Sequence, residues 1–434
     1  MSEYPNQSDA KFLLEGFSAG FRIDYEGPRL PTSCRNLKSV LQNEDITWEK
    51  VMEEVRLGRI AGPFSSRPIS NLRCSPIGLV PKKTGGFRLI THLSYPVGDS
   101  VNDFIDPALA TVQYSSFDNA VNIIKKLGKG ALIGKLDCQK AFRLLPCYLG
   151  DIDLLGFTLK GQFFVDKMVP MGLKVACKYW ECFAKFLNWL ICQKTGSENV
   201  DHYLDDYFFA GEGHSDSCKK LMQEFLVMCQ ELGVPIAQEK TEGPSTSLVF
   251  LGYLLDTLEF QIRIPEEKIQ HLLALIRNAL ARKKVTLREL QSLTGSLQFC
   301  AKAMPSARAF IRRMYASMSS VQKPHHRIRL THGIKDDLRM WQTFLSSFNG
   351  VSYMLDKEWV SYADLKLYTD SAGGAGLGCG CYLNGAWAFL QWPDCWAESD
   401  ILKDITFLEM IPIALAVMLW KNRFRGLRIQ FSTD

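Results

Sequence analysis

The sequence predicts an α+β fold: a hairpin-rich first part, a helical and basic stretch, and then a second, smaller α/β unit. Three observations carry this. Up to about residue 262, short apolar runs are broken by glycine turns, as where Lys82-Lys83-Thr84-Gly85-Gly86 separates two strand-like segments within residues 79–93. Over residues 266–319 the apolar positions switch to helical spacing, with Leu273, Ile276 and Leu280, then Leu287, Leu290 and Leu297. From about residue 365 the pattern becomes strand, Gly-rich turn, two strands through Trp392, a helix over about 405–421 and a strand from Leu427.

Residues 1–60 read as a leader that packs on, or tethers to, the rest of the chain. Residues 132–137 form an apolar run ending in the carboxylate of Asp137. Gly172 introduces a segment to about Cys192 with Ala176, Trp180, Phe183 and Leu187 at helical spacing. Residues 202–210 alternate apolar and acidic types around Asp205-Asp206, a hairpin with the acids at its turn. Residues 218–232 are amphipathic and stop at Gly233, a residue suited to ending a helix. Four segments are expected: 1–60, 61–262, 263–360 and 361–434.

A length of 434 residues suits two to four domains, and 47% hydrophobic with 22% charged residues is ordinary for a globular protein. The net charge of +5 does not announce a nucleic-acid binder, but basic residues gather at 277–284, 308–313, 323–329 and 421–428. One such run is usually a solvated face; several favour a surface that tracks phosphates. Thirteen cysteines without Cys-x-x-Cys spacing suit reduced thiols better than disulfides or structural zinc. No secretory signal opens the chain, and the longest apolar run, 411–420, is too short for a bilayer. A soluble, intracellular protein, cytoplasmic and/or nuclear and without a membrane partner, is therefore expected.

The chemistry begins with Tyr203-Leu204-Asp205-Asp206. Adjacent aspartates at a hairpin turn place like charges at the edge of a core, which is costly unless a cation sits there. Magnesium prefers oxygen ligands and leaves positions open for phosphates. Asp137 joins the pair if the two strands are sheet neighbours. The bland alternatives are that Asp-Asp is simply common in turns and that Asp137 caps a helix. By background frequencies a Tyr-x-Asp-Asp match arises by chance in only about a few per cent of chains this long.

The surrounding order strengthens it. Leu136-Asp137-Cys138-Gln139-Lys140-Ala141-Phe142 resembles motif A of the reverse transcriptases, and Val169-Pro170-Met171-Gly172-Leu173-Lys174 resembles motif B. Residues 203–206 resemble motif C, residues 233–240 motif D, and Phe250-Leu251-Gly252-Tyr253 the primer-grip hairpin. The sequence of residues 290–314, Leu14-Glu15-Gly16-Phe17 and Ala176-Cys177-Lys178-Tyr179-Trp180-Glu181 resemble DIRS-like elements, retrotransposons that integrate through a tyrosine recombinase. The resemblance implies a right-hand polymerase: fingers and a palm with an antiparallel sheet over 61–262, then a helical thumb and connection over 263–360.

It also implies roles. Asp137, Asp205 and Asp206 would hold two Mg²⁺ ions, with Mn²⁺ as the substitute, to activate a primer 3′ hydroxyl and stabilise the leaving pyrophosphate. Lys83 and Arg88 match residues that hold the incoming triphosphate, although Lys82 and Lys83 alone read as a solvated hairpin tip. Phe142 matches the aromatic gate that excludes a 2′ hydroxyl; by periodicity it would be core. Gly172 would let backbone approach the templating base pair. Lys240 would protonate the leaving group, where an unaided reading makes it a surface lysine. Met171 stands where the family usually has Gln, and it offers no amide hydrogen bonds to the template.

Leu367-Tyr368-Thr369-Asp370-Ser371-Ala372 resembles the first strand of the ribonuclease H fold. Asp370, Glu409 on its helix and Asp434 would be metal ligands for hydrolysis of the RNA in a hybrid. Glu409 alone could equally be a surface acid. The unit, 361–434, is expected to be a truncated ribonuclease H-like α/β domain, and Trp387, Trp392 and Trp396 are expected in its core rather than as a stacking platform. The implied partners are an RNA template, a DNA primer, RNA–DNA hybrid and deoxynucleoside triphosphates. Two other readings are an inactive nucleic-acid-binding relic and a chain keeping only ribonuclease H activity.

Overall fold

The computed structural model describes residues 3–82, 85–347, 351–354, 360–425 and 427–431. Two compact units divide the chain, Met1–Glu259 and Phe260–Asp434.

In the first unit, α1 (Gln7–Ala19) begins where the Asn6 side chain accepts the Asp9 N–H. Tyr4, Leu13, Phe21 and Ile23 are buried in the unit's main core, so this segment is a structural part of it. Helix α2 (Glu44–Arg56) has Glu44 and Asp45 in its first turn and Arg56 in its last, matching the helix dipole. After β1 (Ile60–Phe64), β2 (Ile77–Pro81) and β3 (Phe87–Thr91) form an antiparallel hairpin in which Leu79 faces Leu89. Gly85 at φ 87° and Gly86 at φ 75° take the left-handed conformations its turn requires.

Helix α3 (Phe117–Leu127) is capped by Ser116 and leads to β4 (Leu132–Asp137). The hairpin β5 (Gly156–Leu159) and β6 (Gln162–Asp166) precedes α4 (Ala176–Thr195), which ends at Gly196. Then come β7 (Val200–Tyr203), β8 (Asp206–Gly211), α5 (Ser217–Glu231) and β9 (Glu242–Ser245). The hairpin β10 (Ser247–Phe250) and β11 (Tyr253–Asp256) turns through Leu251 and Gly252, both at positive φ.

The central antiparallel sheet has the order β9-β4-β8-β7. Alternation along β8 sends Tyr207 and Phe209 into the core shared with α4 and α5, while Phe208 turns the other way against Phe250. All three rings are fully buried, so both faces of this strand are covered. A second sheet, with β5, β6 and β1 in that order along one side, packs Ile60, Phe157 and Phe164 against Val51 of α2.

Charged residues lock these parts together. Arg143, in the turn after β4, donates to Asp166 of β6 at 2.7 Å and to Glu54 of α2 at 3.1 Å. Lys140 binds Glu53 at 2.9 Å and Glu54 at 3.2 Å. Burial opposes the Arg143 charge, yet Asp166 and Glu54 together raise its pKa.

In the second unit, β12 (Gln261–Arg263) is followed by α6 (Glu266–Leu280), β13 (Lys284–Thr286) and α7 (Leu287–Cys300). A capping box between Thr286 and Glu289 starts α7. Strand β14 (Arg327–Arg329) pairs with β13, and α8 (His332–Ser347) buries Trp341, whose indole N–H donates to the Phe310 carbonyl at 3.2 Å. Strand β15 (Val351–Tyr353) pairs with β12. The antiparallel meander β16 (Leu367–Ser371), β17 (Gly378–Leu383) and β18 (Ala386–Gln391) is covered on one face by α9 (Ile405–Trp420), which buries Leu408, Pro412 and Ala416.

Trp392 is buried with Trp396 stacked on it at 5.8 Å, as a core reading requires. Trp387 departs from that reading at 75% exposure. Ala386 and Ala388 take the half-buried positions of β18, and Trp387 points the other way, opposite Tyr382. All thirteen cysteines are free thiols. Among the described residues no helix is long and apolar enough to cross a membrane.

Replacing Arg143 by Met would strand the buried Asp166 carboxylate, while Glu54 keeps Lys140, so Arg143→Met is expected to destabilise the first unit by about 3–5 kcal/mol. A lowered urea midpoint at unchanged m checks this; a midpoint equal to wild type would contradict it.

Candidate active site

Strand pairing brings the predicted acids together. Asp206 lies directly opposite Asp137 in the β8–β4 register and opposite Tyr203 in the β8–β7 register, leaving Leu204 and Asp205 as the turn. Leu204 takes the left-handed conformation at φ 56°. The Asp205 carbonyl accepts the Cys138 N–H at 2.8 Å, tying this turn to the end of β4. On the other side of β4, the Asp137 carbonyl accepts the Ala237 N–H and the Pro235 carbonyl accepts the Gln139 N–H. Residues 235–240 are thus laid along the acid cluster.

The electrostatics follow from this crowding. Burial first, then the Asp205 and Asp137 carboxylates, push Asp206 up to about 7, and a side-chain hydrogen bond links Asp206 to Asp137. Burial also raises Asp205, with Asp137 adding to the effect and Lys240 and Arg88 opposing it. Arg88, exposed on β3, is thus close enough for its charge to act on Asp205. Lys240 reaches both oxygens of Asp137 at 2.9 Å. Burial works against the Lys240 ammonium, but Asp137 raises its pKa nonetheless.

As placed, no three His, Cys, Asp or Glu side chains among the described residues form a ready-made metal cage. The donors still fit a hard divalent cation. They are oxygens only, and burial together with the neighbouring Asp205 and Asp137 carboxylates raises Asp206 to about 7, a cost that a cation would relieve.

Phe142 is half-buried in the tight turn after β4, packed against the main core, with Lys140 at φ 54° before it and Arg143 after it. Gly172 has φ 117°, and a Cβ there would collide with the Thr91 carbonyl at the end of β3. The Thr91 N–H donates to the Met171 carbonyl at 3.2 Å, and the Asn102 amide donates to the Gly172 carbonyl at 2.8 Å. This close approach of backbone to backbone accounts for the glycine without a ligand. Lys83 lies outside the described residues, as does Asp434.

In the second unit, Asp370 is exposed on β16 and its neighbour Ser371 donates to Glu409 of α9 at 2.7 Å. Ser371 lies on the face of β16 that α9 covers, and Asp370 alternates to the exposed face.

Sequence reasoning missed the Arg143, Glu54 and Asp166 group. It also missed a buried pair at the β7–β8 hairpin, Glu181 with His202 at 3.3 Å, His202 stacking on Tyr207. An acid flanked by Trp180 and Ala184 on an inward helix face was the available signal for that pair.

The raised pKa of Asp206 sets a pH dependence. Between the unfolded aspartate value near about 3.9 and the folded value of about 7, the folded state binds the extra proton. Stability then falls as pH rises through that window. In chelator, melting temperature is expected to drop between pH 5 and pH 8 in wild type and to drop less in Asp206→Asn; parallel curves would contradict the assignment.

Comparison with known proteins agrees with this geometry. Residues 80–255 match the family described as reverse transcriptase (RNA-dependent DNA polymerase). The Pro-Pol polyprotein of feline foamy virus is 23% identical over 288 residues, 64% of this chain and 22% of that protein. The Gag-Pro-Pol polyprotein of human T-cell leukemia virus 2 is 26% identical over 139 residues, 31% of this chain and 8% of that protein. A foamy viral protease-reverse transcriptase solved with double-stranded DNA aligns at TM-score 0.57 and 17% identity, covering 93% of this chain and 64% of that one. A further structure of the foamy viral enzyme, with RNA/DNA hybrid, aligns at TM-score 0.56 and 17% identity over 94% of this chain and 50% of that one. The chain thus spans about a fifth of the foamy virus polyprotein it matches, at 22%. It has the reverse transcriptase polymerase fold, and its residues 80–255 match the reverse transcriptase family.

Proposed function

We propose that the chain is the RNA-directed DNA polymerase of a retrotransposon of the DIRS-like kind, extending a DNA primer with deoxynucleoside triphosphates on an RNA template. The observation that carries this is the direct pairing of Asp137 with Asp206, with Asp205 in the adjoining turn and Asp206 raised to about 7. Reverse transcriptases generally use divalent metal ions. Asp137, Asp205 and Asp206 would hold two Mg²⁺ here, or Mn²⁺ in their place. Such ions supply Lewis acidity toward phosphoryl oxygens and a lowered pKa for a bound hydroxyl. The DIRS-like assignment rests on the sequence resemblance alone.

The chain's own residues complete the site. Arg88, exposed and close enough to act on Asp205, is suited to the triphosphate charge, with Lys83 its expected companion across the hairpin turn. Lys240 holds its proton beside Asp137 and is available to the leaving pyrophosphate. Phe142, fixed between Lys140 and Arg143, would exclude the 2′ hydroxyl. Gly172 keeps the loop flush against β3, where the templating base pair would lie.

A primed RNA template, deoxynucleotides and Mg²⁺ should give extension that falls by about a hundredfold or more in Asp205→Asn. Equal extension by both proteins would sink the metal assignment. Absence of extension with salt-dependent hybrid binding retained would leave the inactive-relic reading. Phe142→Ala is expected to raise ribonucleotide incorporation relative to wild type, and unchanged sugar selectivity would remove Phe142 from the gate.

A ribonuclease H activity in the second unit is the second reading. It is favoured by the Ser371–Glu409 hydrogen bond, which holds Glu409 beside the strand carrying Asp370. Asp434 would be the third ligand. RNA cleavage in a labelled hybrid should disappear in Asp370→Asn.

A further inference from the structure

The strand that leads into the acid turn has backbone support on one side only. Strand β7 stands at the edge of the central sheet and, among the described residues, pairs with β8 alone. The turn it enters is strained, because Leu204 at φ 56° holds a left-handed conformation that residues other than glycine rarely adopt. Such strain persists only where the surroundings fix the chain. Side chains therefore have to supply what a second neighbouring strand would give.

They do so at three consecutive residues of β7. On one face, Ser115 donates to Asp201 at 2.7 Å, and Tyr114 lies against Tyr203 with ring centroids 5.3 Å apart. On the other face His202 points inward, where its Nε2 lies 3.3 Å from Oε1 of Glu181 on α4. His202 and Glu181 are 5% and 2% exposed, and neither side chain hydrogen-bonds elsewhere among the described residues. Lys185, one turn further along α4, adds a charge 3.9 Å from the same oxygen. Close by on α4, the Ala184 carbonyl accepts the Tyr207 hydroxyl at 3.0 Å. The helix that follows the Gly172 loop thus grips both strands of the hairpin, β7 through Glu181 and β8 through Ala184.

A buried acid–base pair is a weak source of stability, since apolar residues of similar size often pack as well. What it adds is a unique partner. A shift of β7 by two residues would keep the inward alternation, yet it would bring Val200 to Glu181 and leave that acid buried without its imidazole.

We propose that Glu181 and His202 are positioning residues for the site acids: their contact pins the register of β7 and so keeps Leu204 and Asp205 in the turn beside Asp137. The functional consequence rests on the polymerase reading, whereas the tie itself can be measured without catalysis.

The test uses the full chain and three variants. Glu181→Met removes the acid at similar length. Glu181→Met combined with His202→Leu replaces the pair by apolar side chains and so carries the test where the single variant fails to fold. His202→Gln keeps a donor for Glu181. In single-turnover primer extension, counted per active site, both Met variants should slow the step at saturating nucleotide by about tenfold or more. Nucleotide half-saturation and hybrid affinity should stay within about twofold of wild type. Amide hydrogen exchange over residues 200–206 should quicken about tenfold in the same variants, with the urea midpoint of the double variant unchanged. His202→Gln should keep both readouts near wild type. Wild-type turnover and exchange in the double variant overturn the proposal. So does a loss confined to the number of active sites, which would make the pair a stability device, and so does His202→Gln as slow as the Met variants. A wild type that extends no primer removes the polymerase reading, and exchange alone then decides: faster exchange in the double variant sustains the tie, and equal exchange removes it.

Discussion

The register between β4 and β8 is the constraint on which the first unit depends. A strand alternates its faces with a period of two, so a slip of one residue would send Asp206 away from Asp137 and drive Tyr207 and Phe209 out of the core. The buried rings make that slip prohibitive. Hydrophobic burial on three consecutive residues of β8 thus holds in place an arrangement of carboxylates that electrostatics alone would disperse. Adjacent carboxylates and one of the most apolar strands in the fold are two sides of the same device.

The other parts of the site are hung from this register by backbone hydrogen bonds as well as by side chains. Ala237 and Gln139 bind residues 235–240 to the end of β4, which brings Lys240 to Asp137. Arg143 fastens the turn holding Phe142 to α2 and β6 at once. Thr91 and Asn102 hold the loop of Met171 and Gly172 against the hairpin that carries Arg88. In the second unit a side-chain hydrogen bond, from Ser371 to Glu409, ties α9 to the last residue of β16.

Much of this was legible in the sequence because its causes are local. Gly85 and Gly86 mark the first hairpin, Gly233 the end of α5, and apolar alternation around Asp205-Asp206 the strands that meet there. What stayed hidden depends on partners far along the chain. Arg143 is 89 residues from Glu54, and nothing in its own neighbourhood indicates burial. Gly172 is explained by a carbonyl at Thr91, which no pattern around residue 172 contains. The exposure of Trp387 is a choice between two faces of an Ala-Trp-Ala-Phe alternation, and that choice is made by which face α9 covers.

The tie between Thr91 and Met171 has a mechanical meaning. It anchors the hairpin β2–β3 at its base, where the His92 N–H also donates to the Pro76 carbonyl. Farther out, the Leu79 N–H donates to Ser39 Oγ, and Leu89 opposite it packs on the core formed with α2. Arg88 stands one residue beyond that last support, on an arm that lengthens by about 3.3 Å per residue toward the turn glycines. The guanidinium is therefore carried at the edge of the supported part of the hairpin, with the loop of residues 171–172 as one of its props.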